Sequence, residues 1–98
     1  MYVDDTVDAL MKVTASERLV GEVVNIGSGI ETKVGTLAQR MAKILGDVPV
    51  VDLKKEVLGS KRQVCDNRKL RELADWKPRV SFDEGLERTI NWFKKQPL

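Results

Sequence analysis

The chain has 98 residues, of which 17 are basic and 15 are acidic, with one cysteine and no histidine. This length allows at most one domain, and the near balance of charge argues against a nucleic-acid-binding protein. The absence of histidine excludes a Ser-His-Asp triad and a Cys-His pair. No apolar run is long enough to span a bilayer, and the early acidic residues do not resemble a signal peptide. The single Cys65 cannot form an internal disulfide, so we expect a cytoplasmic protein.

The first predicted element is a helix that is capped by Asp4 or Asp5 and ends near residue 15, because apolar side chains recur there at helical spacing. A polar loop follows. The segment "EVVNIG" at residues 22–27 is rich in β-branched residues. It predicts a short buried strand that stops at Gly27.

A long apolar face predicts the second helix over residues 33–45, with Thr32 as its cap and Gly46 just beyond its end. The segment "VPVVDL" at 48–53 predicts a second strand, near whose start a proline is tolerated. A charged loop, "KKEVLGSKR", leads from this strand to residue 62.

Two further helices are predicted in the last third of the chain. A short one begins at Asp66 or Asn67 and reaches about residue 74. The last covers residues 82–93, and Ser81 with Glu84 three residues later forms a capping box at its start. The whole pattern predicts a single α/β domain over residues 1–98, with about four helices and two main short strands that are expected to be parallel.

Several patterns suggest chemistry but have simpler interpretations. The turn "NIGSGIET" at 25–32 leads into a helix N-terminus, where phosphate can bind, but it has two of the three glycines of a dinucleotide fingerprint. A plain strand-to-helix connection is therefore the favoured interpretation. Asp4, Asp5 and Asp8 could form a metal site, although helix capping and dipole compensation explain them more simply. Cys65 has no histidine to activate it and is interpreted as a small buried side chain.

The basic side chains of the charged loop could receive a phosphate or diphosphate through charge-assisted hydrogen bonds. These are Lys54, Lys55, Lys61 and Arg62. Taken as a charge run alone, they favour a solvated loop.

Four segments, taken in order, resemble the C-terminal part of NAD-dependent nucleotide-sugar epimerases and dehydratases, which are extended short-chain dehydrogenases/reductases. The segments are "YVDDTVDAL", "GEVVNIGSGIET", "RQVCDNRKLREL" and "DWKPRVSFDEGLERTINWF". The resemblance covers essentially all 98 residues. It implies a small substrate-binding lobe whose last helix begins within "DWKPRVSFDEGL".

The resemblance also implies that the catalytic half of such an enzyme is absent. The family's Rossmann half carries a glycine-rich NAD fingerprint and a Tyr-x-x-x-Lys pair, whereas Tyr2 is the only tyrosine here and is followed four residues later by Thr6. We therefore expect no catalytic, cofactor-binding or metal-binding residue in the chain. It is expected to be an excised piece of such an enzyme or a truncated gene product.

A substrate site can be placed only by analogy. The resemblance implies an arginine near residues 54–56 that holds the nucleotide diphosphate, and this chain has Lys54 and Lys55 there. Arg62 is the next candidate, and Ser28 and Thr32 are expected near the nucleotide. Binding of a nucleotide sugar is expected to be weak or lost, because lysine lacks the bidentate fork of arginine.

Two functions follow from these patterns. The first is the nucleotide-sugar-binding lobe of an NAD-dependent epimerase or dehydratase, inactive on its own and without a cofactor. The alternative is a truncated, non-enzymatic module that self-associates or docks on a partner. A homodimer is expected, since apolar faces that relatives bury against the Rossmann half would be uncovered, and that half is a second candidate partner. Neither nucleic acid nor a membrane is an expected partner.

Overall fold

The computed structural model describes residues 1–56 and 58–97, and over these ranges it contains four α-helices and one short 3-10 helix. The predicted helices are all confirmed. In chain order they are α1 (Val3–Ala15), α2 (Val34–Ile44), α3 (Arg68–Ala74) and α4 (Phe82–Lys94), and the 3-10 helix covers Glu17–Leu19. None of the helices in these ranges is both long and apolar enough to cross a membrane.

The predicted α/β fold is wrong, because no residue of the two described ranges lies in a β-strand. The segments 22–27 and 48–53 are not helical either, but neither forms a ladder. A strand is stabilised by hydrogen bonds to a neighbouring strand, so β-branched residues alone do not make one. In the first segment, Val24 and Ile26 pack on the helical core. In the second, Val50, Val51 and Leu53 are all more than half exposed.

The hydrophobic core is small and lies where α1 meets α3. Ala9, Leu70 and Trp76 are buried almost completely, and four half-buried side chains surround them, namely Val13, Val24, Ile26 and Ala74. Asp75 takes a left-handed φ of 50° directly after α3 and ends that helix. The chain can then return towards α1, so that the Trp76 indole packs into the core.

The helix ends agree with the sequence at three places. Ser81 Oγ accepts a hydrogen bond from the Glu84 amide at 3.2 Å, as predicted, although the Glu84 carboxylate pairs with Arg88 instead of completing the capping box. Gly46 follows α2 with a φ of 96°. α3 begins after Asn67, whose side chain makes no cap hydrogen bond.

The other predicted caps are wrong. α1 begins after Tyr2 and α2 begins after Lys33, and neither N-cap residue accepts a side-chain cap hydrogen bond. Asp4 and Asp5 lie inside the first turn of α1, and Thr32 lies one residue before the N-cap of α2. Several oxygen-bearing side chains lie near each start, so the sequence alone does not specify which residue becomes the N-cap.

Candidate functional site

An open groove of about 680 Å³ is lined by the N-terminal ends of α2 and α4. One side comes from the turn at residues 28–34 and the other from residues 78–82, which lead into α4. Tyr2, Gln63 and the first two turns of α4 also line the groove. The volume lies within the roughly 300–1,000 Å³ that is usual for small-molecule sites.

The N-terminal end of α2 is suited to an anion. Its first turn contains no acidic residue and its N-cap residue, Lys33, gives no side-chain cap, so backbone N–H groups remain available. α1 and α4 differ, since each carries two acids in its first turn. Negative charge is stabilised near a helix N-terminus, and in α2 no side chain of the helix supplies that charge.

Asp5 fixes the other side of the groove. Its side chain is 3% exposed, and its two carboxylate oxygens accept hydrogen bonds from the backbone N–H groups of Arg79 and Val80, each at 3.0 Å. Hydrogen bonds to an ionised acceptor are about twice as strong as neutral ones. The acid that the sequence suggested as a helix cap therefore ties the segment before α4 to α1.

The glycine turn is held from the opposite side by Asn67. This side chain is buried and donates from Nδ2 to the Gly27 carbonyl oxygen at 3.0 Å. Gly29 has a φ of 76°, and a Cβ there would come within 3.1 Å of the same amide nitrogen. A Cβ on Gly27 would lie 2.5 Å from Cys65 Cβ. Both glycines therefore allow close packing against side chains of this chain itself.

The five residues predicted to bind substrate are not brought together. Ser28 and Thr32 line the groove, whereas Lys54, Lys55 and Arg62 are not among the described residues that line it. The Arg62 guanidinium donates from two nitrogens to the Glu31 carboxylate, each at 2.8 Å.

Lys54 and Lys55, which begin the charged loop, are outside the groove lining. Lys54 has a φ of 53°, and its ammonium lies 3.5 Å from Asp52 Oδ2. Lys55 is exposed. A substrate role for Lys54, Lys55 and Arg62 stays a prediction.

Two cations of the groove were not found from the sequence. Lys33 and Arg79 both line it, and over residues 1–56 and 58–97 neither side chain makes a hydrogen bond or an ion pair. Their only signal in the sequence is position, since each stands within three residues of a helix start. That signal becomes meaningful only when the two helix starts are known to share a groove.

The acidic residues of α1 each lie near a basic side chain or backbone donors of this chain. Asp8 lies 3.7 Å from the Lys12 ammonium, and Asp4 lies 3.9 Å from Arg88. Asp5 is occupied by backbone donors, as described above. Within the described residues no three acidic or cysteine side chains are grouped so that they could hold a metal ion.

Comparison with known proteins gives matches along almost the whole chain. The UDP-glucose 4-epimerase of Mycolicibacterium smegmatis is 30% identical over 97 residues, which are 98% of this chain and 31% of that protein. GDP-L-fucose synthase 1 of Arabidopsis thaliana is 37% identical over 98 residues, covering 97% of this chain and 29% of that protein. A trifunctional UDP-glucose 4,6-dehydratase/UDP-4-keto-6-deoxy-D-glucose 3,5-epimerase/UDP-4-keto-L-rhamnose-reductase of the same plant is 29% identical over 100 residues, or 99% of this chain and 15% of that protein.

No family model matches the chain, and no solved structure gives a significant match. The chain spans about a third or less of the length of the three relatives named above. Over nearly all of its own length it matches part of proteins of the nucleotide-sugar epimerase and dehydratase family, which confirms the resemblance carried by its four motifs.

Proposed function

We propose that this chain corresponds to the nucleotide-sugar-binding lobe of such an enzyme and that the groove between the starts of α2 and α4 holds the ligand. The observation that carries the proposal is the groove lining. There the N-terminus of α2, with no acid in its first turn, lies with Lys33 and Arg79, whose side chains have no partner among residues 1–56 and 58–97. The similarity to proteins named for UDP- and GDP-linked sugars supports the same ligand class.

The lining suits both parts of a nucleotide. The diphosphate would lie against the start of α2, within reach of Lys33 and Arg79, because ionised donors bind phosphate oxygens most strongly. The base and the sugar would contact the apolar part of the lining, which includes Ile30, Leu37, Phe82 and Leu86. We expect a dissociation constant near 1 mM, or about −4 kcal/mol, because the lining is open and only a few groups converge.

The residues present do not fit NAD, which the family resemblance implies as the cofactor. A dinucleotide fingerprint uses glycines so that a pyrophosphate can approach the backbone. Here the space beside Gly27 is filled by Cys65 and the space beside Gly29 by Asn67. The Tyr2 side chain packs against Gly85, and its ring centroid lies 5.5 Å from Arg88 Cζ. Four residues after Tyr2, where the family has a lysine, this chain has Thr6. The residues of this chain therefore support ligand binding in the groove and not NAD binding at the glycine turn.

Titration of the ¹⁵N-labelled chain with UDP, GDP and UDP-glucose tests the proposal. We expect chemical-shift changes at Ser28, Thr32 and Val34 in the groove. The double variant Lys54→Ala/Lys55→Ala should keep these changes, because both side chains lie outside the lining. Loss of all changes in that variant would place the ligand at the charged loop, and an unchanged spectrum at about 5 mM ligand would refute nucleotide binding.

A second candidate function, self-association, is favoured by the large exposed surface. The chain exposes 8369 Å², whereas a compact monomer of 11.0 kDa exposes about 5,600 Å². The excess of about 2,800 Å² is more than three times the roughly 800 Å² that one partner contributes to a standard interface. Part of it is the apolar face of α1, where four side chains are between 52% and 68% exposed: Val3, Val7, Leu10 and Met11.

Sedimentation equilibrium distinguishes the occupants of this surface. A homodimer predicts a mass above 11.0 kDa at about 100 μM protein, the range of a weak interface. Met11→Lys should then restore the monomer, whereas Leu58→Lys, at a side chain that is 98% exposed, should not. A single 11.0 kDa species throughout would refute the homodimer. It would leave the remaining part of a longer enzyme as the partner.

A further inference from the structure

Arg79 differs from every other arginine of the chain. Arg18 donates to the Glu72 carbonyl oxygen and Arg71 to the Asn67 side chain. The remaining arginines pair with carboxylates: Arg40 with Asp83, Arg62 with Glu31, Arg68 with Asp66 and Arg88 with Glu84. Within the described residues the Arg79 guanidinium has no such acceptor, and it lines the groove. Its hydrogen-bonding capacity is therefore available to a ligand.

The backbone that carries Arg79 is fixed by Asp5. The buried carboxylate holds two consecutive N–H groups, those of Arg79 and Val80, with one oxygen on each. Two bonds to successive peptide units fix their orientation as well as their position. Asp5 belongs to the same helix as Ala9, which is fully buried in the core. The position of the Arg79 backbone is thus coupled to a helix that packs in the hydrophobic core.

We propose that Arg79 binds the phosphate of a nucleotide in the groove and that Asp5 is its positioning residue, an inference that rests on the function proposed above. A guanidinium presents several donors in a planar fork and binds phosphate oxygens in pairs, which an ammonium cannot do. The ligand class is therefore a nucleoside diphosphate or its sugar ester, and a nucleoside without phosphate should not depend on Arg79.

The direction in which Asp5→Asn changes phosphate affinity shows whether Asp5 acts by positioning Arg79 or only through its negative charge. A negative charge near an anion site weakens anion binding, so a variant that only removes this charge should bind phosphate more tightly. Positioning predicts the reverse. Asp5→Asn keeps the size of the side chain but replaces one acceptor with an NH₂ donor. Because this donor would face a backbone N–H, one anchoring hydrogen bond is lost and the segment that carries Arg79 is released.

The test compares UDP, uridine and inorganic pyrophosphate on wild type and variants by NMR titration. Arg79→Gln should weaken UDP and pyrophosphate about tenfold and leave uridine unchanged, since a hydrogen bond to a charged group accounts for about that factor. The affinity of Arg79→Lys for UDP and pyrophosphate should lie between that of the wild type and that of Arg79→Gln. Lys77→Gln removes the same charge two residues away, at an exposed side chain outside the groove lining, and should change affinity less than about twofold.

Asp5→Asn should weaken pyrophosphate severalfold, whereas Asp4→Asn, at an exposed acid in the same helical turn, should not. Tighter pyrophosphate binding by Asp5→Asn would overturn the positioning role. If that variant does not fold, hydrogen exchange of the wild type decides. The Arg79 and Val80 amides should be protected about 100-fold, and unprotected amides would refute the anchoring.

The outcomes distinguish this inference from the proposed function. Equal UDP affinity of Arg79→Gln and wild type would overturn the role of Arg79 while leaving the groove as the nucleotide site. Arg79-dependent binding of pyrophosphate, without any binding of UDP or uridine, would overturn the nucleotide function and retain an anion site. No response to any of the three ligands would overturn both.

Discussion

Replacing Gly27 with alanine tests the close approach between the glycine turn and Cys65. A Cβ at residue 27 would lie 2.5 Å from Cys65 Cβ and 2.8 Å from its Sγ. Carbon atoms that are not bonded pack at about 3.5–4.0 Å, so the new atom would overlap by about 1 Å. The φ of Gly27 is outside the left-handed region, so alanine meets no backbone strain there.

Two effects of opposite sign therefore compete at this position. Gly→Ala at a compatible conformation stabilises by about 0.4–1 kcal/mol, because the unfolded chain loses freedom. Overpacking costs about 1–3 kcal/mol. The Cys65 Cβ is attached directly to the backbone, so the overlap can be relieved only by moving main chain. We therefore expect the overlap to dominate and the free energy of unfolding to fall by about 1–2 kcal/mol.

Urea unfolding followed by the fluorescence of buried Trp76 measures this change. In a Cys65→Gly background the cost of Gly27→Ala should vanish, whereas Cys65→Ala keeps the Cβ and should give little relief. Gly35→Ala is the matched control, because it lies in α2 with nothing within 4 Å of its Cβ position and should stabilise by about 0.5–1 kcal/mol. If Gly27→Ala stabilised the chain as Gly35→Ala does, the close approach would be refuted.

Three further predictions follow from single contacts. Ser81→Ala removes the cap of α4 and should lower the free energy of unfolding, measured in urea, by about 1 kcal/mol. Ser81→Asp should keep most of that stability, because aspartate is also a good N-cap. An unchanged urea midpoint in Ser81→Ala would contradict the cap. Hydrogen bonds from the exposed Arg68 side chain lower the pKa of Asp66 from 3.8 to about 2. The contribution of this pair is therefore present above about pH 4 and lost as the pH falls towards 2, and carboxyl NMR should show the pKa return towards 3.8 in Arg68→Gln. Trp76→Ala should cost about 3–5 kcal/mol, while Trp92→Ala, at a side chain that is 57% exposed, should cost far less; similar losses would contradict the assignment of the core.

The sequence predicts the helices because their signals are local. The last helix, expected over 82–93, is Phe82–Lys94 in the structure, and the cap at Ser81 is formed as expected. Helical spacing, a capping side chain and a terminal glycine all act within a few residues, and each can be recognised without knowing the fold. The family resemblance likewise depends on short motifs in order, and the comparisons confirm it.

Tertiary structure decides the strands and the groove, because both depend on residues that are distant in the chain. The segments 22–27 and 48–53 have strand-forming composition, but a ladder requires a partner that composition does not specify. Asp5 fits a helix cap equally well until residues 79 and 80 are placed beside it, 74 and 75 positions later. The phosphate-binding role proposed for Arg79 depends on the groove that the two helix starts share. Periodicity is determined by neighbouring residues, whereas hydrogen-bond partners across the fold are determined by packing.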